Sequence, residues 1–491
     1  MPKNNLYRAQ IVRSKRLWPT RTTAPTRNKY SQIEGNMNRK TLLLGAVPLS
    51  LLFLMRTGTS SANDFQYIAN PPHILASSST ALPKPAGSGA YCQPEPGLPS
   101  PGLCGYFPSV IRQAYDFPAN LDGSGQTIVI VDAYGSPTIR NDLAVFDSGF
   151  GIPAPPSFTI VCAPSGCPTF QLDPSKQSAN QVGWSIETSL DVEYAHAMAP
   201  GANIVLVVAS SSYGDAINAA EAKAIASYPG SVMSQSFGIP EYLVSANDGQ
   251  FLQAAQNYQA AQAAGITVLA SAGDSGATNG ARFANASFPA SDPLVTAVGG
   301  TEGLPFPDGL ANCSATGCIY GGEQVWNENE PAIGLVAATG GAPSLFFPAP
   351  SYQAALGLGV RTTPDVSYNS AVNGGVFVYW SSIPSAAGFY FVGGTSAASP
   401  QWAAIVALAN QLSAEEGFGP LGFINPVLYQ LGQSSASSDF HDITTGNNQL
   451  AGTPVGFSAA AGWDDASGWG TPDVSKLVPD LVACVKTSSC P

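Results

Sequence analysis

Continuous apolar runs of strand length alternate along this chain with longer segments of helical periodicity. Gln126-Thr127-Ile128-Val129-Ile130-Val131-Asp132 is one such run, closed by an acid. Its unbroken β-branched character predicts a parallel strand buried on both faces. The spacing predicts helices over Val110–Tyr115, Thr138–Ser148, Trp184–Met198, Gly214–Ser227 and Gly249–Ala264. Between and after them it predicts strands at Asn203–Val208, Val232–Ser236, Ile266–Ser271, Val295–Val298 and Val376–Tyr379. A last buried helix follows Ser396 through the Ala-rich run 401–409. Strands alternating with helices predict an α/β domain with a mostly parallel sheet. Functional groups in such sheets lie beyond the carboxyl ends of the strands.

Composition narrows the classes. The 491 residues carry 20 basic and 32 acidic side chains, a net charge of −12, and only 11% are charged. An acidic, charge-poor chain lacks the basic footprint of a nucleic-acid binder. Few charges also mean little self-repulsion once carboxylates are protonated, so tolerance of low pH is expected. Cysteines fall in four close pairs, Cys92/Cys104, Cys162/Cys167, Cys313/Cys318 and Cys484/Cys490, each bracketing turn residues. Local disulfides and an oxidising compartment are expected. No Cys-x-x-Cys occurs and only three histidines, His73, His196 and His441, are present, which argues against zinc.

The first 62 residues read as a basic extension plus an export signal. Met37-Asn38-Arg39-Lys40 is a basic start, Thr41 to Met55 is mostly apolar, and Thr59-Ser60-Ser61-Ala62 offers small residues for cleavage. Met37 is a candidate start, and the expected location is extracellular. Residues 63–103 are rich in Ser, Pro and Gly and read as flexible. A single domain is expected over 104–480, with a tail carrying a Cys pair at 481–491. A monomer without a membrane span is expected.

Gly393-Gly394-Thr395-Ser396 lets the backbone turn sharply and places a serine near a helix N-terminus, where unpaired N–H groups favour developing negative charge. Ser396 is either a nucleophile or a helix cap. A serine hydrolase normally pairs its serine with histidine, but none of the three is well placed. His73 lies in the flexible segment and His441 near the C-terminal loops. His196 reads as a cap at its helix C-terminus. The base is therefore sought among carboxylates. Glu187 and Asp191 stand four apart and share a helix face. They are either a solvated acidic face or a buried pair whose proton affinities split. Asp274, flanked by Gly273 and Ser275-Gly276 after a buried strand, is a turn residue or a cleft acid able to donate when protonated.

Taken together these segments resemble the sedolisins, or serine-carboxyl peptidases. The matching pieces are Gly-Thr-Ser-Ala-Ala-Ser-Pro (394–400), Glu-Thr-Ser-Leu-Asp-Val-Glu (187–193), Ala-Met-Ala-Pro-Gly-Ala (197–202) and Ala-Gly-Asp-Ser-Gly (272–276). Phe-Pro-Ala-Ser-Asp-Pro (288–293), Val-Gly-Gly-Thr (298–301) and Thr-Pro-Asp-Val-Ser (363–367) support them, in the family's order. The resemblance implies a subtilisin-like fold with helices on both faces of the sheet. It implies Ser396 as nucleophile, Glu187 as general base and acid, Asp191 as the group that orients Glu187, and Asp274 as oxyanion donor. Asp132, where a subtilisin's catalytic aspartate would stand, reads as structural for want of a histidine.

The resemblance also implies one structural calcium ion, held by the carboxylates of Asp442 and Asp464 and the carbonyls of Ile443, Ala460 and Gly462. Ala460 departs from the usual glycine. Sedolisins carry a long folded prodomain, and the segment between Ala62 and Gln126 is too short for one. The expected activity is hydrolysis of peptide bonds in proteins or peptides, through an acyl-enzyme, at acidic pH. A silent binding protein on the same fold and a serine esterase are the alternatives. The intact carboxyl set argues against the first, and the absence of a Gly-x-Ser-x-Gly elbow against the second.

Overall fold

The computed structural model describes residues 69–70, 74–79, 90–93, 102–164, 166–170, 176–303, 309–314, 316–331, 334–434, 438–487 and 490. All lie within one compact unit, Phe65–Pro491. The expected export signal at 37–62 lies outside the described residues.

Strands β1 (Ile74–Ser79), β2 (Ala90–Gln93), β3 (Leu103–Tyr106), β4 (Thr127–Ala133), β5 (Phe158–Ala163), β6 (Asn203–Ala209) and β7 (Val232–Gln235) come first. They are followed by β8 (Thr267–Ser271), β9 (Thr296–Gly303), β10 (Glu323–Val325), β11 (Val366–Asn369), β12 (Gly375–Trp380) and β13 (Gly388–Gly393). The helices that matter are α1 (Pro108–Ala114), α2 (Ile139–Phe150), α3 (Lys176–Met198), α4 (Gly214–Ser227), α5 (Gly249–Ala263), α6 (Thr395–Glu415), α7 (Asn425–Gln433) and α8 (Val474–Thr487).

The central sheet has eight strands in the order β10-β9-β8-β7-β4-β6-β5, with β11 also on β9. Every pairing in it is parallel except β9 with β10. Alternation along β4 explains its composition. Ile128 and Ile130 enter one core with α2, α3, α6 and α8, while Val129 and Val131 enter a second core with α4 and α5. A strand covered on both faces has no position for a polar residue until its carboxyl end, where Asp132 sits.

A second sheet, β1-β13-β12-β3-β2, lies apart from the first. Val376–Tyr379, expected in the main sheet, belongs here instead. It covers α3: the Phe377 amide donates to Tyr194 Oη at 3.0 Å, the Tyr379 amide to Glu193 Oε2 at 3.0 Å, and Trp380 Nε1 to Ser185 Oγ at 2.9 Å. Helix α3 is therefore buried around its whole circumference from Trp184 onward. It also starts earlier than the apolar periodicity suggests, because its first residues, Lys176 to Gln181, carry no apolar stripe.

Two further expectations change. The segment 63–103, expected to be flexible, supplies β1 and β2, paired to β13 and β3. The tail at 481–491 begins inside α8, where Leu481, Val482 and Cys484 are buried. All four disulfides are local, Cys92–Cys104, Cys162–Cys167, Cys313–Cys318 and Cys484–Cys490. No described helix is long and apolar enough to cross a membrane.

Candidate active site

The carboxyl ends of β4, β7 and β8 deliver Asp132, Ser236 and Asp274 to one end of the sheet. Helix α3 brings Glu187 and Asp191, and the start of α6 brings Ser396. Gly394 makes the entry to α6 possible. Its φ of 121° is open to glycine and rare for other residues, and its amide donates to the Ser370 carbonyl at 2.7 Å. Ser396 is then the second residue of the helix, fully buried, where the amide ends and the dipole favour a nearby anion.

Glu187, Asp191 and Asp132 are all 0% exposed, which excludes the solvated acidic face. Burying a carboxylate costs several kcal/mol when no cation compensates it, so such groups hold their protons. Burial, then the charge of Asp132, pushes Glu187 well above the usual carboxyl range. The nearby Ser396 hydroxyl pulls the other way, and Asp274 adds a further upward push. Asp191 is raised by burial, then by Asp132 and Glu187, while the nearby Ser236 hydroxyl pulls the other way. Ser396, Glu187, Asp191 and Ser236 thus lie close together. The Ser236 hydroxyl donates to the Ser396 carbonyl at 3.3 Å.

Asp274 is only half-buried, the most open member of the set. Its Oδ1 accepts from the Thr395 amide at 2.8 Å and the Thr395 hydroxyl at 2.9 Å. Its own amide neighbour, Gly273, adopts φ 107° and donates to Thr395 Oγ1 at 3.0 Å. Asp274 is therefore tied to the residue preceding Ser396, on the open side of the serine.

The structure brings Ser396, Glu187, Asp191 and Asp274 together, and sequence reasoning missed Asp132 and Ser236 as their neighbours. Asp132 was assigned a structural role because it has no histidine partner. Its place at the carboxyl end of a buried strand was the available signal. The described histidines lie elsewhere. His196 is buried with Nε2 2.8 Å from the Pro153 carbonyl and 3.3 Å from Asp147. His441 stacks on Tyr320 at 3.6 Å, and burial lowers its pKa to about 4.

At the C-terminal loops, Asp442 Oδ2 accepts from the Gly462 amide at 2.9 Å, and Asp464 Oδ2 from the Ala460 amide at 2.8 Å. Asp464 Oδ1 accepts from the Ala466 and Ser467 amides, each at 2.9 Å. Among the described residues no group of three or more His, Cys, Asp or Glu side chains is placed to hold a metal.

Comparison with known proteins agrees with this geometry. The subtilase family model matches residues 178–430. The chain is 35% identical to kumamolisin of Bacillus sp. (strain MN-32) over 395 residues, 77% of this chain and 64% of that one. It is 30% identical to tripeptidyl-peptidase 1 of Rattus norvegicus over 425 residues, 79% of this chain and 67% of that one. Among solved structures, Pseudomonas sedolisin, a serine-carboxyl proteinase complexed with two molecules of pseudo-iodotyrostatin, superposes with a TM-score of 0.63 at 27% identity. That match covers 77% of this chain and 98% of the other. The chain thus spans somewhat under two thirds of kumamolisin's full length. Fold, motif order and these matches together establish that the chain belongs to the sedolisin family, on the subtilisin-like fold.

Proposed function

We propose that this protein is a secreted serine-carboxyl endopeptidase that cleaves protein or peptide substrates at acidic pH. The observation that carries the reading is a fully buried Ser396 at the start of α6 beside a fully buried Glu187, whose proton affinity is raised by burial and then by Asp132. Ser396 Oγ attacks the scissile carbonyl while Glu187 takes its proton, forming an acyl-enzyme. Glu187 returns that proton to the leaving amine. Burial and the charge of Asp132 raise the proton affinity of Glu187, which favours its taking the proton from Ser396. Asp274 in its protonated form donates to the oxyanion, a role a neutral carboxyl can fill and a carboxylate cannot.

Four local disulfides support an oxidising, extracellular setting. A structural calcium ion fits the C-terminal loops. The amides of Gly462 and Ala460 lean on Asp442 and Asp464, so the residues of the implied set already cross-link one another. Asp442 and Asp464 would supply carboxylates, and Ile443, Ala460 and Gly462 carbonyls, the hard oxygen donors calcium takes. The bound ion would brace these loops and take no part in the chemistry.

The reading is tested by the pH dependence of peptide hydrolysis. Glu187 must lose a proton while Asp274 keeps one, so kcat/KM rises and then falls, with its maximum at acidic pH. Glu187→Gln keeps the shape and removes the base, with an expected loss of about 10²- to 10⁴-fold. A maximum at neutral or alkaline pH would contradict the assigned roles.

A further inference from the structure

The two carboxyl oxygens of Asp274 are not equivalent. Oδ1 accepts from the Thr395 amide at 2.8 Å and from the Thr395 hydroxyl at 2.9 Å. The hydroxyl is itself oriented, because Thr395 Oγ1 accepts from the Gly273 amide at 3.0 Å. A hydroxyl that accepts on one side turns its single hydrogen to another, here to Asp274 Oδ1. A chain of donors therefore runs from Gly273 through Thr395 to Oδ1. Glycine at 273 is part of this arrangement. Its φ of 107° is rare for other residues, and a Cβ there would stand 2.9 Å from Asn279 Oδ1. Thr395 is fully buried, so its hydroxyl has no water to turn towards.

A carboxyl oxygen has two lone pairs in its plane. At Oδ1 both are met by donors from Thr395. A proton on Oδ1 would displace one of these bonds and strand a buried donor, which is costly. On Oδ2 it displaces neither. We propose that Thr395 is the positioning residue of the oxyanion site, which keeps Asp274 Oδ1 as an acceptor and so places the donatable proton on Oδ2. The use made of that proton rests on the peptidase reading above. An acid whose proton could sit on either oxygen would spend part of its time unable to donate. One held in a single state needs no rearrangement when the oxyanion forms. Glu187, on α3, is the titratable group that interacts with Asp274. It is the same in every Thr395 variant, so its influence cancels between them.

Three variants test the assignment. Thr395→Ala and the isosteric Thr395→Val remove the hydroxyl, whereas Thr395→Ser keeps it and drops the methyl. The first measurement needs no activity. In full chains carrying Ser396→Ala and carbon-13-labelled aspartate, the Asp274 carboxyl resonance is identified by its loss in Asp274→Asn and followed from pH 3 to 9. A donor to a carboxyl favours its ionised form. Thr395→Val and Thr395→Ala should therefore hold the Asp274 proton to about one pH unit higher than the parent, and Thr395→Ser should return the midpoint to the parent's. The second measurement uses the same variants with Ser396 intact. In Thr395→Val and Thr395→Ala the alkaline limb of kcat/KM should move up by the same amount, and kcat should fall at least about tenfold with little change in KM. Thr395→Ser should rescue both. A packing role for Thr395 would reverse the order, with Thr395→Val nearest the parent. A hydroxyl that donated straight to the oxyanion would lower kcat without moving the limb or the resonance. Either result overturns the proposal, as does an unshifted Asp274 midpoint in Thr395→Val and Thr395→Ala. A resonance that moves as stated in chains that cleave no peptide at any pH leaves the proton placement standing and removes the peptidase reading.

Discussion

Replacing Glu221 with Gln probes how this protein stores protonated carboxyl groups in its core. Glu221 sits on α4 beneath α5 with 1% of its surface exposed. Its Oε1 accepts from Gln235 Nε2 at 2.7 Å and Tyr258 Oη at 2.9 Å, and its Oε2 from Asn257 Nδ2 at 2.9 Å. Burial raises its pKa from 4.5 to about 7, against the opposing pull of Asn257, Tyr258 and Gln235. Between those values the folded protein holds a proton that the unfolded chain releases. The stabilisation is therefore complete below about pH 4.5 and is lost as pH rises through about 7. A carboxyl moved from 4.5 to about 7 is linked to about 3 kcal/mol. Glu221→Gln cannot titrate. Its amide nitrogen also faces donors, which shifts stability by a constant amount at every pH. The informative quantity is thus the slope. Urea unfolding in the Ser396→Ala background, at intervals from pH 4 to 8, should show the parent losing about 3 kcal/mol more than the variant. Parallel stability curves for the two chains would refute the reasoning.

Asp365 should matter for the opposite reason, as a buried acid paired with a buried cation. It is fully buried, accepts from Arg361 at 2.6 and 2.7 Å, and accepts the Ala297 amide and Tyr429 hydroxyl at 2.8 Å each. Asp365→Asn strands a buried guanidinium and should cost about 3–5 kcal/mol in urea unfolding; a loss below about 1 kcal/mol would show that Arg361 finds another partner. Chelation should lower the melting temperature of the parent but not that of Asp464→Ala, because a metal held only by the folded state stabilises it. An unaltered melting curve for the parent counts against the calcium site.

The parts of this architecture that were legible in the sequence are those where one side chain pattern determines burial. β4, β6 and β8 are continuous apolar runs, and α4 and α5 fall within a residue of the expected bounds, because local composition alone decides them. The second sheet was not legible. Its strands are short or contain glycine, and β3 and β12 pair although the central sheet lies between them in sequence, with Gly105 opposite Gly375. The site divides the same way. Spacing places Glu187 and Asp191 on one helix face, but only the packing of that face against the end of β4 and the start of α6 makes it dry. Asp132 was visible as the acid closing a buried strand, but that β4 ends beside α3 is a tertiary fact. Similarly, nothing in Ser/Pro/Gly-rich composition indicates that the segment 63–103 supplies β1 and β2, since backbone pairing carries no side-chain signature.

The central claim is that Ser396 is the nucleophile of a carboxyl-driven peptidase. Its most direct test is to incubate the parent chain, with and without Ser396→Ala, with unfolded casein at pH 3 to 8. Reactions quenched in acid are analysed by mass spectrometry for fragments and for acyl groups on the enzyme. The account predicts casein fragments at acidic pH only where Ser396 is present, with the trapped acyl group on that residue. Equal cleavage by the Ser396→Ala chain, or an acyl group on any other side chain, would contradict it.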